Sequence, residues 1–214
     1  KNQYAEAETI LKQALATANS ASTIASDAEN KVLNATDENA AANQLAGIGV
    51  TDTAAVIDVV YAGYDAFGSA LALSAAANAV AELANAALYT TGEGISGAEL
   101  VRIAQEIQDA ADAAARAAEQ IDLVIDAIIS SATDMMNDIM ANYASILASD
   151  GGGNLDQALQ DYAAVNDDVL INNYLSSHGF SLSDVDFVLD TVSSAITQAV
   201  SQVSDIQSER NDSE

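Results

Sequence analysis

The chain has 214 residues, half of them hydrophobic, with only 5% aromatics and no cysteine, proline or tryptophan. Six basic residues stand against thirty-two acidic ones, a net charge of -26. That balance excludes a conventional nucleic-acid binder, since no basic patch can form against phosphates. It also argues against adhesion to an anionic membrane surface.

A chain of this length suits one domain. Alanine is the commonest hydrophobic residue, which favours helix and closely approaching helices over a thick interior. The charge reads as a solvated, self-repelling surface suited to high salt. Asp outnumbers Glu and Lys is scarce, which fits a salt-rich setting. Without cysteine there is no disulfide framework, no thiolate chemistry and no zinc finger. A start at Lys1 fits a chain whose leader has been removed or that has been matured by proteolysis.

Residues 2–46 contain neither Gly nor Pro, and Leu11, Leu15, Ala18, Ala25, Ala28 and Val32 recur at helical spacing. A break is expected near Asn34–Asp37, with Thr36 or Asp37 capping a second piece that ends at Gly47. Asn34-Ala35-Thr36 and Asn211-Asp212-Ser213 fit the glycosylation pattern, at the frequency chance gives in so Asn-, Ser- and Thr-rich a chain. After a turn at Gly47–Val50, Thr51 or Asp52 caps a helix expected over 52–89. Asp58, Asp65 and Glu82 are its only charges, and Ala62, Ala66, Ala70, Ser74, Ala77 and Ala81 form a seam of small side chains. A helix apolar nearly all round is central in a bundle or lies in lipid. Its longest charge-free run, Ala66–Ala81, is short for a membrane span and has no flanking Lys or Arg.

The next helix is expected over 97–149. It opens on Ser96-Gly97-Ala98-Glu99, a capping box, and closes on Gly151-Gly152-Gly153. Its seam runs Leu100, Ile103, Ile107, Ala110, Ala114, Ala117, Ile121, Val124 and Ile128, steps of three and four that define a heptad stripe. A stutter then shifts it to Ala132, Met135, Ile139, Tyr143 and Ile146. Asp112 and Arg116 are spaced for an ion pair one turn apart. Asp122, Asp126, Asp134 and Asp138 have no evident partner in sequence and are weak cation candidates.

Short helices are expected within 154–178, ending at His178-Gly179 as a left-handed cap. The last helix, 181–208, opens on Ser181 and Asp184. Its seam is Leu182, Val185, Leu189, Val192, Ile196, Ala199, Val203 and Ile206, which reads as the cleanest heptad in the chain and the best match for Leu100–Ile128.

Catalytic chemistry finds little material. His178 is the only histidine, so a di-iron bundle with two Glu-x-x-His motifs is excluded. A Ser-His-Asp triad would have to use a residue beside a helix-ending glycine. The EF-hand glycine and terminal Glu are missing around Asp184, Asp186 and Asp190.

The expectation is therefore an all-α chain, a single elongated antiparallel helical bundle or coiled coil over residues 1–214, without enzyme activity or cofactor. The expected function is structural: a repeated subunit of an extracellular, cell-surface or virion assembly in a salt-rich environment, with the cytoplasm of a halophile as the other setting. The expected partners are further copies of the chain and other assembly proteins, with no nucleic acid and no stable membrane span. Two alternatives are an acidic binding module for a basic protein and a membrane-active helical protein.

Overall fold

The computed structural model describes residues 2–35, 37–50, 52–61, 64, 66–89, 95–149 and 175–212. The protein is all-α, with no strand among the described residues. Its helices are α1 (Asn2–Ala35), α2 (Glu38–Gly47), α3 (Thr53–Val60), α4 (Ala66–Tyr89), α5 (Gly97–Ser149) and α6 (Leu182–Asp212). Of the short helices expected over 154–178, residues 154–174 lie outside the described residues, and Leu175–Ser177 form one helical turn.

Side-chain caps set most boundaries. Asp37 accepts from the Ala40 N–H at 2.9 Å and starts α2, and Asp52 accepts from the Ala55 N–H at 3.2 Å and starts α3. Each such cap contributes about 1 kcal/mol. Ser96 accepts from the Glu99 N–H at 3.2 Å, but Glu99 turns its own carboxylate to Arg102 rather than back to Ser96. A charge-assisted pair with a guanidinium outcompetes a neutral N–H. At α6 the capping box closes fully. Asp184 accepts from the Ser181 N–H and hydroxyl at 2.8 and 2.7 Å, while the Asp184 N–H donates to Ser181 Oγ.

The helix expected over 52–89 is two helices. The Tyr61 N–H closes α3 on Ile57, and the Tyr64 N–H bonds to the Tyr61 carbonyl in a turn before α4 begins at Ala66. The β-branched run Val56, Ile57, Val59 and Val60 is a poor helix propagator. Tyr61 and Tyr64 then pack their rings against each other at 4.9 Å, a contact that a continuing helix would not require.

The chain divides into two compact units. The first comprises Lys1–Glu29, Phe67–Asp122 and Phe187–Glu214, and the second Asn30–Ala66 and Leu123–Asp186. In the first, one core cluster draws on α1 (Ala7, Leu11), α4 (Val80, Ala84), α5 (Leu100, Ile107) and α6 (Ala199). α1 buries Ala7, Leu11, Ala14, Ala18, Ala21, Ala25, Ala28 and Val32, alternating steps of four and three without a break. α4 buries Ala70, Leu73, Ala77, Val80, Ala84 and Ala87 in the same rhythm. On α5, Leu100, Ile103, Ile107, Ala110, Ala114, Ala117, Ile121, Val124 and Ile128 are buried in that rhythm as well. Leu15, expected on the α1 stripe, is only half-buried.

Tyr4 donates its hydroxyl to the Ile95 carbonyl at 2.8 Å, which holds the start of α1 beside the entry to α5. Gly97 is buried there, and a Cβ on it would lie 2.9 Å from the Gln3 Cβ. In the second unit, Ala41 and Leu45 of α2, Val50, and Val56 and Val60 of α3 form a core with Ala132, Met135, Met136 and Ile139 of α5.

Candidate functional site

The 53-residue α5 carries most of the residues singled out from sequence. At 1.5 Å per residue it is about 80 Å long. Leu100, Ile103, Ile107, Ile121 and Ile128 are all buried, so this seam lies in the protein's own interior. The buried face is wider than one stripe: Ala104, Gln108, Ala111, Ala118 and Ile125 run beside the first seam. Two adjoining stripes require neighbours on two sides, which a single coiled-coil partner cannot supply. Gln108 reaches Asp112 at 2.7 Å, and Asp112 forms no ion pair with Arg116 among the described residues.

On α6, Val192 is buried as expected, but Val185, Leu189 and Ile196 are half-buried, while Val188 and Ala195 are buried beside them. The buried face is therefore rotated toward the 188/192/195/199 positions. The side chains of Leu182, Val203 and Ile206, like those of Tyr143 and Ile146 on α5, lie outside the described residues.

The aspartates that had no evident partner have found them. Asp126 pairs with Lys31 at 3.0 Å, and Asp134 lies 3.3 Å from His178 Nε2. Asp122 and Asp138 also interact within the chain. Among the described residues no three His, Cys, Asp or Glu side chains converge as metal ligands.

His178 itself is more than a cap. Its turn is closed by hydrogen bonds from the His178 and Phe180 N–H groups to the Leu175 carbonyl, with Gly179 at φ +83°. That conformation suits glycine. Leu175 anchors the turn in the interior, and the imidazole reaches α5. Its Nδ1 lies 3.0 Å from Ser177 Oγ and 3.5 Å from Ser131 Oγ, with Asp134 at the other nitrogen. The residue types are those of a hydrolytic triad, but the geometry is not. The buried Ser131 hydroxyl donates to the Ala127 carbonyl at 2.7 Å and stands at the limit of hydrogen-bond reach from the ring. The arrangement is a polar clip holding the turn to α5. Ser131 and Asp134 are 47 and 44 positions from His178, so no local sequence signal could have linked them.

Ionisable groups with shifted behaviour lie at helix ends. Glu99 is held below the ordinary carboxyl value chiefly by its hydrogen bond from Arg102, and Asp184 by those from the Ser181 hydroxyl and N–H. Burial, with the Glu38 charge second, pushes the Tyr61 phenol up.

Some large apolar side chains reach the surface: Tyr89 is 82% and Phe187 64% exposed, with Leu71 in the same unit and Leu33 and Leu123 in the other. Gly68–Tyr89 of α4 is long and apolar enough to cross a membrane, and half of that window is buried inside the protein. The core helix of a soluble protein passes the same test.

No known protein family, curated protein or solved structure matches the chain.

Proposed function

We propose that the chain is an assembly protein, a repeated subunit of an extracellular, cell-surface or virion structure in a salt-rich setting. In this reading the helices form an elongated antiparallel bundle with coiled-coil seams, and further copies of the chain are its main partners. The observation that carries it is the all-helical build around the 53-residue α5, with alanine-lined heptads in α1 and α4 spent on packing within one copy. Alanine stripes bring helices close together. The net charge of -26 supports the salt-rich setting. Copies of so acidic a chain repel each other in dilute salt, and at molar salt the screening length falls to about 3 Å. A negative-stain micrograph of the native material tests the reading. Filaments, shells or regular particles are expected, and a field of dispersed single chains at molar salt contradicts it.

A second reading, an acidic module for a basic protein, rests on the same charge. It requires binding that weakens steeply as salt rises, whereas apolar self-assembly holds or tightens.

A further inference from the structure

We infer that Ser22 and Ser74 form a hydrogen-bonded key that fixes the register of α1 against α4. The Ser74 hydroxyl donates to the Ser22 backbone carbonyl at 3.3 Å and lies 3.3 Å from the Ser22 hydroxyl, at a half-buried position. With the Ser74 proton committed to that carbonyl, the Ser22 hydroxyl is the donor of the second bond. The two serines therefore satisfy one another across the two helices.

The key matters because the surfaces around it discriminate poorly. Ser22 lies opposite Ser74 in the first part of α4, whereas Tyr4 bonds to Ile95 beyond its end, so the two helices run in opposite directions. Helical steps of three and four from the serine contact in antiparallel helices pair Ala18 with Ala77, Ala25 with Ala70 and Leu11 with Ala84, positions that are all buried. A slip of seven residues along α4 would place Ala18 against Ala84 or Ala70, alanine for alanine. Apolar packing alone distinguishes such registers weakly. The same slip puts Ser22 against Ala81 or Phe67, and a slip along α1 puts Ser74 against Leu15 or Glu29. Each alternative strands the hydroxyls away from their partners in a partly dry interface, a loss larger than any gain from exchanging equivalent alanines. A single polar contact in an apolar seam sets helix register in coiled coils by the same means.

The absence of native cysteine allows a direct test on the full chain. Ala18→Cys with Ala77→Cys reports the observed register, and Ala18→Cys with Ala84→Cys or Ala70→Cys reports a slip of one heptad. A heptad of helix is about 10 Å, beyond the Cα separation a disulfide spans, so the pairs are exclusive. With both serines present, mild oxidation should close the first pair and leave the other two open. In the Ser22→Ala/Ser74→Ala background the slipped pairs should cross-link about tenfold more than before. If circular dichroism shows that the double variant has lost its helices, Ser74→Ala alone carries the comparison. Failure of the first pair to close with the serines intact overturns the register. Cross-linking confined to that pair after the serines are removed overturns their role as its key.

Discussion

The unit containing Leu11, Val80 and Leu100 is lined mainly by alanine from four helices, whereas the unit containing Leu45 fills its interior with Val56, Met135, Met136 and Ile139, with the half-buried Tyr61–Tyr64 pair packed against them. The first gains its contacts by bringing backbones close together. The second packs the long side chains of α5 against two short helices, α2 and α3. A close alanine interface has no room to give, and a core of long side chains has slack to rearrange but loses more when one is cut away. The two units should therefore fail in opposite ways.

The largest effect is expected from truncation in the second unit. Leu45 is fully buried, and Leu45→Ala should lower stability by about 2–5 kcal/mol, read from the urea midpoint. Enlargement should do comparable damage in the first unit. Ala111→Leu, at a fully buried position, should cost about 1–3 kcal/mol or more, while Ala132→Leu, among the methionines of the second core, should cost less. Equal tolerance of both enlargements by thermal melting would remove the contrast. At the junction of α1 and α5, Gly97→Ala should cost on the order of 1 kcal/mol, because its Cβ meets the Gln3 Cβ and not a flexible tip. Thermal melting of the pair Gly97→Ala and Gly68→Ala separates that clash from helix propensity, since nothing lies within 4 Å of a Cβ at Gly68.

Acid should act on the α6 cap. The Asp184 carboxyl titrates lower in the folded chain than when unfolded, so its contribution is present above the unfolded value, about 3.9. It is lost as pH falls through the lower folded value. Asp184→Asn should remove that acid-sensitive component from a pH series of melting curves. The smallest effect belongs to the surface pair: Lys31→Ala should change stability by about 0–1 kcal/mol, less at high salt, because both Lys31 and Asp126 are substantially exposed.

What the sequence made legible was local. The bounds of α5, the caps at Asp37, Asp52 and Ser181, and the glycine stop at Gly179 follow from residues within one turn of each boundary. The α5 seam was legible because Ile and Leu stand out from their neighbours. The α1 and α4 heptads were only partly so: alanine occurs on exposed and buried faces alike, and Ala72 and Ala75 are exposed while Ala76 and Ala77 are buried. The break before Ala66 depends on two tyrosines finding each other and a core to join. The partners of Asp126 and Asp134 come from elements 95 and 44 positions away, a relation that side-chain spacing along one helix does not encode.

The most direct test of the assembly reading is sedimentation velocity of the intact chain across a salt series. The account predicts a monomer in dilute salt, where a charge of -26 keeps copies apart, and growing oligomers as salt rises to molar concentration. A single monomeric boundary throughout the series would contradict it.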